Sequence, residues 1–264
     1  MSIYVKDIIK AMEKIAPPSL KESYDNVGLM VGDKEKEVHK VLLALDCTKK
    51  VIEEAKKNNI DLIITHHPLI FRKPSRIVKD DLQGFKIIEL IKNVLSLFSS
   101  HTNLDSVKGG INEEIVNILG FKSKKIIEES KVLGFQTSGI GRIVELDEEK
   151  TPEEIIKIVK EKLGVENLRA VIGERKIKKI AIINGSGQDY FQDALRLGAD
   201  CIITGDTTYH FASDYKEIGL TIIDPGHFKT EWIVFLKVMK KIEEKFPEIE
   251  FIHSNECEDP YEFL

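Results

Sequence analysis

The chain has 264 residues, of which 42% are apolar and 31% charged, with a formal net charge of −5. That length supports one large domain or two modest ones, each with its own core, and the acidic balance disfavours a dedicated nucleic-acid binder, which carries a basic surplus or stripe. Three cysteines (Cys47, Cys201 and Cys257) with no CxxC argue against a disulfide framework and for a reducing, cytoplasmic setting, and no apolar run reaches the roughly 20 residues that span a bilayer.

The chain opens on "MSIYVKDIIKAMEKIAPPSL", where apolar and charged residues alternate at helical spacing. No continuous apolar stretch follows a basic start, so this is a surface helix and not a signal peptide. The next segment, "YDNVGLMVGD" (24–33), is rich in turn residues. Asp25 and Asn26 could approach a site from there, but a turn that closes a sheet is the preferred reading.

Residues 41–67, "VLLALDCTKKVIEEAKKNNIDLIITHH", read as strand, turn, helix, turn, strand. The strands are near-continuous apolar runs, as expected where helices cover both faces. The second strand ends in His66 and His67, followed by Pro68. Proline disfavours helical backbone at the residue before it, so the two histidines stay extended and their imidazoles diverge. Diverging rings do not readily share one small ion, but each could serve one of two ions. A further apolar strand, "VLSLFSS", ends in His101 and Asp105.

Residues 126–177 have a different texture. "GRIVELDEEKTPEEIIKIVKEKLGVENLRAVIG" reads as strand, helix, strand, with Thr151 as N-cap, Pro152 at the first helical position and Glu154 completing a capping box. It is taken as a small inserted βαβ unit.

The pattern of the first half then returns. "IAIINGSGQDYFQDALRLGADCIITGD" (180–206) aligns without a gap to residues 41–67 at an offset of 139. Its glycine-rich "NGSGQD" fits neither a P-loop nor GxGxxG, and a plain tight turn is expected. After the strand "CIIT" come Asp206 and His210. The strand "LTIIDPG" then leads into a helix that begins near His227, with Glu231 one turn on. "VLSLFSSHTNLD" and "LTIIDPGHFKTE" match at an offset of 126, so His101 and Asp105 correspond to His227 and Glu231.

The fold expected is therefore α/β, with two duplicated three-layer α/β halves on mostly parallel sheets and a small inserted βαβ subdomain. The boundaries fall at 1–125, 126–177 and 178–264. In such sheets function collects at the carboxyl ends of the strands. Three of those ends carry histidine, two with a carboxylate four residues on. A mixed imidazole and carboxylate set suits Zn, Fe, Mn, Co or Ni better than Ca. His227 and Glu231, at i and i+4, share a helix face. His39 and His253 fit no cluster and read as surface residues. Cys47 and Cys201 read as small core residues.

The motifs "DNVGLMVGD", "THHPLIF", "SSHTNLD", "GSGQD", "ITGDTTYH" and "DPGHFKTE", in this order and over nearly the whole chain, resemble those of the Nif-three-like dinuclear-metal family, the GTP cyclohydrolase I type 2 homologues. The resemblance implies two divalent transition-metal ions per chain (Zn, Fe or Mn). His66 and Asp105 would hold one, His67 and His227 the other, and Glu231 would bridge them. It makes His101 a ligand or a residue beside the site. His210 would face the cavity, as a group for proton transfer or substrate contact. It further implies a toroidal homohexamer. The sequence departs from the family pattern at "SYDNVGLM", where many members have Trp before the Asp and Gln in place of Met30. That departure touches none of the ligands.

Three functions are compatible with this reading. The first is a metal-dependent hydrolase acting on a nucleotide or phosphoester through a metal-bridging hydroxide, with His101 or His210 moving protons. The second is a metal-storage or metal-delivery protein without turnover, and the third a regulatory adaptor. The first is preferred, with no membrane association and no nucleic-acid partner expected.

Overall fold

The computed structural model describes residues 2–263. In chain order the elements are α1 (Val5–Ile15), β1 (Gly28–Val31), β2 (Lys40–Ala44), α2 (Lys49–Lys57), β3 (Leu62–Thr65), α3 (Leu82–Lys92), β4 (Ser96–Ser99), α4 (Thr102–Ser106) and α5 (Ile111–Ile118). There follow β5 (Ser123–Glu129), β6 (Gly139–Lys150), α6 (Pro152–Leu163), β7 (Arg169–Val171), β8 (Ile177–Ser186), α7 (Phe191–Arg196), β9 (Cys201–Gly205), α8 (Tyr209–Glu217), β10 (Thr221–Asp224), α9 (His227–Glu243) and β11 (Glu250–His253). This is a mixed α/β fold on two sheets, ordered β1-β4-β3-β2-β11 and β5-β6-β8-β9-β10-β7. Among the described residues no helix is long and apolar enough to cross a membrane.

The chain forms two compact units, one of Met1–Leu104 with Met239–Glu258, the other of Asp105–Val238 with Asp259–Leu264. In the first unit β11, β2, β3 and β4 run parallel, and β1 closes the edge antiparallel to β4. Leu42, Ala44, Ile63 and Leu97 of the sheet pack with Val51, Ile52 and Ala55 of α2 and Leu90 of α3. Fully burying a side chain such as Ile52 stabilises the fold by about 2 kcal/mol. Thr48 caps α2 by accepting from the Val51 N–H at 3.1 Å, one of the orphan donors of a helix start.

In the second unit only β8, β9 and β10 are parallel. β5, β6 and β7 join them antiparallel, so the sheet is mixed. All three flanking strands lie in or overlap residues 126–177. The segment with the texture of an insertion keeps its strand, helix and strand, including the Thr151–Glu154 capping box, but its strands hydrogen-bond into the second sheet. Edge hydrogen-bonding groups left open by a three-stranded ladder account for this. The compact units accordingly divide at Leu104/Asp105 and not near residue 125, and β11 returns the C-terminal region to the first sheet.

The internal repeat is visible in the register. Val41 of β2 faces Leu62 of β3, and Ile180 of β8 faces Cys201 of β9, each partner displaced by the same 139 positions. Asp61 accepts the His39 and Lys40 N–H groups at 2.8 and 3.2 Å, and Asp200 accepts those of Lys178 and Lys179 at 3.0 and 2.9 Å. Each carboxylate thus pins the entry of its unit's first parallel strand, at equivalent positions. The third strands follow a different offset. Ser96 faces Leu62 and Thr221 faces Cys201, 125 positions apart. The one residue by which this differs from the 126 of the histidines lies in the "DPG" loop before His227.

Candidate metal centre

In the first unit the donors sit where β3 and β4 end. The Thr65 hydroxyl donates to the His67 carbonyl at 2.8 Å and meets the Ser99 hydroxyl at 2.8 Å, and the His67 N–H donates to the Leu45 carbonyl at 2.9 Å. These bonds hold the Thr65–His67 backbone extended beyond the strand. The His66 and His67 ring centroids are 5.1 Å apart, and His101 stands 5.2 and 5.5 Å from them. One ring nitrogen from each of the three lies within 4.8 Å of the others, a grouping able to hold a metal ion.

The other ring nitrogen of each has a defined partner. His66 Nδ1 meets the Ser100 carbonyl at 2.9 Å, His67 Nδ1 the Asp46 carboxylate at 3.0 Å, and His101 Nδ1 the Asp25 carboxylate at 2.9 Å. A carbonyl only accepts, so His66 carries its proton on Nδ1 and directs the Nε2 lone pair into the group. Carboxylate partners favour the same tautomer in His67 and His101, an arrangement usual behind metal-ligating histidines. Burial raises the Asp25 pKa, but the hydrogen bond and charge of His101 and two bonds from Thr102 outweigh it, and the carboxyl is held well below the usual carboxylate range. Asp25 is therefore more than part of a turn: it fixes the His101 ring.

In the second unit Asp105, Asn184 and Glu231 are all buried. The Asn184 side-chain amide donates to Asp105 at 2.9 Å and to Glu231 at 2.9 Å, so one amide aligns two carboxylates. His227 opens α9, and its Nε2 lies 2.9 Å from Glu231, as the i, i+4 spacing predicts. Its Nδ1 meets Asp206 at 2.8 Å. Asp206 adopts φ +55, a left-handed conformation that aspartate tolerates better than most residues and that is typical of functional turns. His227 thus stands between two carboxylates, with Nδ1 at Asp206 and Nε2 at Glu231.

Two glycines make room for this arrangement. A Cβ on Gly185, at φ +57, would come within 2.3 Å of the Glu231 carboxylate, and one on Gly205 within 2.7 Å of the His227 backbone. The "NGSGQD" turn is thus not plain: its Asn184 binds both carboxylates and its Gly185 clears space for one. A strand followed by Asn-Gly, read against the carboxylates one helix turn from a histidine, was the available signal.

Of the sequence candidates, His66, His67 and His101 group in the first unit, and in the second Asp105 and Glu231 share the Asn184 amide while His227 meets Glu231. His210 is exposed at the second position of α8, beside Tyr209, and joins neither set. His39 and His253 are exposed, 4.0 Å from Glu37 and 2.9 Å from Glu243. Cys47 and Cys201 are buried. Burial pushes the Cys47 thiol up to about 12 and that of Cys201 still higher. The donor set of imidazoles and carboxylates, with each imidazole oriented through Nδ1, fits a divalent transition metal.

The profile of the family described as Duf34/NIF3 (NGG1p interacting factor 3) matches residues 3–260. The chain is 59% identical to a GTP cyclohydrolase 1 type 2 homolog of Clostridium perfringens, over 98% of this chain and 99% of that one. It is 51% identical to the homolog of Clostridium acetobutylicum, over 92% and 91%. Among solved structures, a Bacillus cereus protein related to NIF3 superposes with a TM-score of 0.91 at 25% identity, covering 99% of each chain. A Staphylococcus aureus hypothetical protein does so at 0.89 and 30%, covering all of both.

Proposed function

The chain belongs to the Duf34/NIF3 family, and on that premise we propose that it is a metal-dependent hydrolase of nucleotides or phosphoesters. In this reading His66, His67, Asp105, His227 and Glu231 would hold two divalent ions, Zn, Fe or Mn. The observation that carries it is the common tethering of four imidazoles through Nδ1, to Ser100, Asp46, Asp25 and Asp206. Surface histidines have no reason to share one orientation, whereas metal ligands do.

When bound, such ions supply Lewis acidity toward a phosphoryl or amidine centre and lower the pKa of water. The chain's own residues do the rest. Asn184 keeps the Asp105 and Glu231 carboxylates aligned without adding charge. Asp46 and Asp206 hold the rings of His67 and His227. His101, backed by Asp25, moves a proton at its Nε2, and His210, exposed on α8, is left a role in substrate contact.

The test is a hydrolysis screen. Protein reconstituted in turn with Mn, Fe and Zn is assayed against nucleotides and simple phosphoesters, beside a folded Glu231→Ala variant. The reading predicts turnover that the variant lacks. Bound metal with no turnover on any of these substrates would favour storage or delivery instead.

A further inference from the structure

The second unit contains a cavity of about 240 Å³ that none of the residues above occupies. Arg169, Thr207 and Asp224 line it together with the apolar Ile222 and Ala212. The Thr207 hydroxyl is fully buried and has no hydrogen-bond partner among the described residues. Leaving a buried hydroxyl unsatisfied costs about 1–3 kcal/mol, so a hydroxyl kept in a cavity wall points to a ligand that completes it.

The chemistry of that ligand follows from the other two polar groups. Asp224 is buried and already takes three N–H donors: Arg169 at 2.5 Å and the Thr207 backbone at 3.0 Å on one oxygen, and the Gly226 backbone at 3.0 Å on the other. It has little capacity for a ligand donor. Arg169 has spent one of its five N–H groups on this bond, and what it offers is donors. The Arg169–Asp224 pair is neutral overall, so it suits an uncharged acceptor better than a phosphate. The volume lies below the roughly 300 Å³ at which pockets for drug-sized ligands begin. One ring system fits and a whole nucleotide does not. The small Ala212 side chain lines the cavity, as does Tyr209, which is 80% exposed.

We propose that this cavity binds a planar heterocycle carrying an exocyclic oxo group, with the oxo toward Arg169 and a ring nitrogen at Thr207. It would be the base-binding subsite for a nucleotide substrate. Its role rests on the hydrolase reading, and the chain supports the link. Thr207 follows Asp206, the partner of His227, and Asp224 precedes His227 by three residues. The two loops that build the cavity also hold that histidine.

The experiment is isothermal titration of EDTA-treated full-length protein with guanosine and with adenosine. Neither has a phosphate and no metal is present, so failure of the metal centre does not affect the result. Saturable binding of about one guanosine per chain is expected, with adenosine about tenfold weaker or more for want of the oxo group. Ala212→Trp fills the cavity and should abolish the heat. Thr207→Val, nearly the same shape, should weaken binding about tenfold and serves if the tryptophan variant fails to fold by circular dichroism. No saturable binding up to millimolar guanosine, equal binding of adenosine, or undiminished binding in folded Ala212→Trp would each overturn the proposal.

Discussion

Replacing Asn184 by alanine tests how the second unit holds its two carboxylates. The amide donates to both Asp105 and Glu231 at 2.9 Å, and all three residues are buried. Without metal, removing it leaves two buried carboxyl groups each short of a donor. The cost is about 1–3 kcal/mol for each, offset in part by water entering the space left by the side chain. A net loss of about 3 kcal/mol lowers the melting temperature of a chain this size by about 6–12 °C. With saturating Mn or Zn the carboxylates direct their lone pairs to the cation, and the difference between variant and parent should shrink by about half. Metal affinity should fall about 10–100-fold, as it does when groups that orient ligands are lost. Asn184→Asp keeps the shape but sets a third carboxylate against the other two, so without metal it should fall further than alanine. Scanning calorimetry after EDTA dialysis and a competitive metal titration read both effects. An Asn184→Ala protein that melts within about 2 °C of the parent and keeps its metal affinity would refute the reasoning.

Three further predictions concern Gly185, Asp61 and the cysteines. Gly185→Ala should displace Glu231, because its Cβ would stand 2.3 Å from the carboxylate at φ +57; bound metal measured by mass spectrometry should fall, and parent-level metal would contradict this. Asp61 is held below its ordinary pKa although burial acts to raise it, because the His39 and Lys40 N–H groups and Lys36 stabilise the charged form. A depressed folded pKa gives stability that is present above the unfolded value of about 3.9 and is lost as pH falls through the folded one. Asp61→Asn should therefore cost about 2 kcal/mol at neutral pH, with the gap closing in urea denaturation as pH falls below the unfolded value; a gap independent of pH would be wrong for this account. Finally, burial raises all three thiols, that of Cys257 to about 11 and that of Cys47 to about 12, so the native protein should resist iodoacetamide at pH 8 while the denatured protein takes up three labels. Rapid alkylation of the native chain would show the burial to be misjudged.

Much of this was legible in the sequence. The strand-end histidines, the 139-residue repeat and the capping box at Thr151 are local or periodic signals, and each is where spacing predicts. The partners of the histidines were less legible. Asp25 and Asp46 are single acidic residues in loops, and nothing in their neighbourhood distinguishes a ring-orienting carboxylate from a solvated one. Asn184 and Gly185 sit in a stretch rich in turn residues, and only the position of Glu231, 47 residues on, gives them meaning. The joining of β5, β6 and β7 to the second sheet, and of β11 to the first, depends on tertiary pairing between segments far apart in the chain. An edge strand carries no mark of the ladder it will extend. His210, read with Asp206 as a further polar strand end and matched by its motif, is exposed and belongs to none of the donor groups among the described residues.

The central claim is that two sets of oriented donors exist to bind metal. Elemental analysis of the purified chain by mass spectrometry, with His67→Ala and Glu231→Ala in parallel, tests it most directly. The account predicts about two divalent transition-metal ions per chain in the parent and a clear loss in both variants, each still folded. A parent chain that binds none after incubation with Mn, Fe and Zn would contradict it.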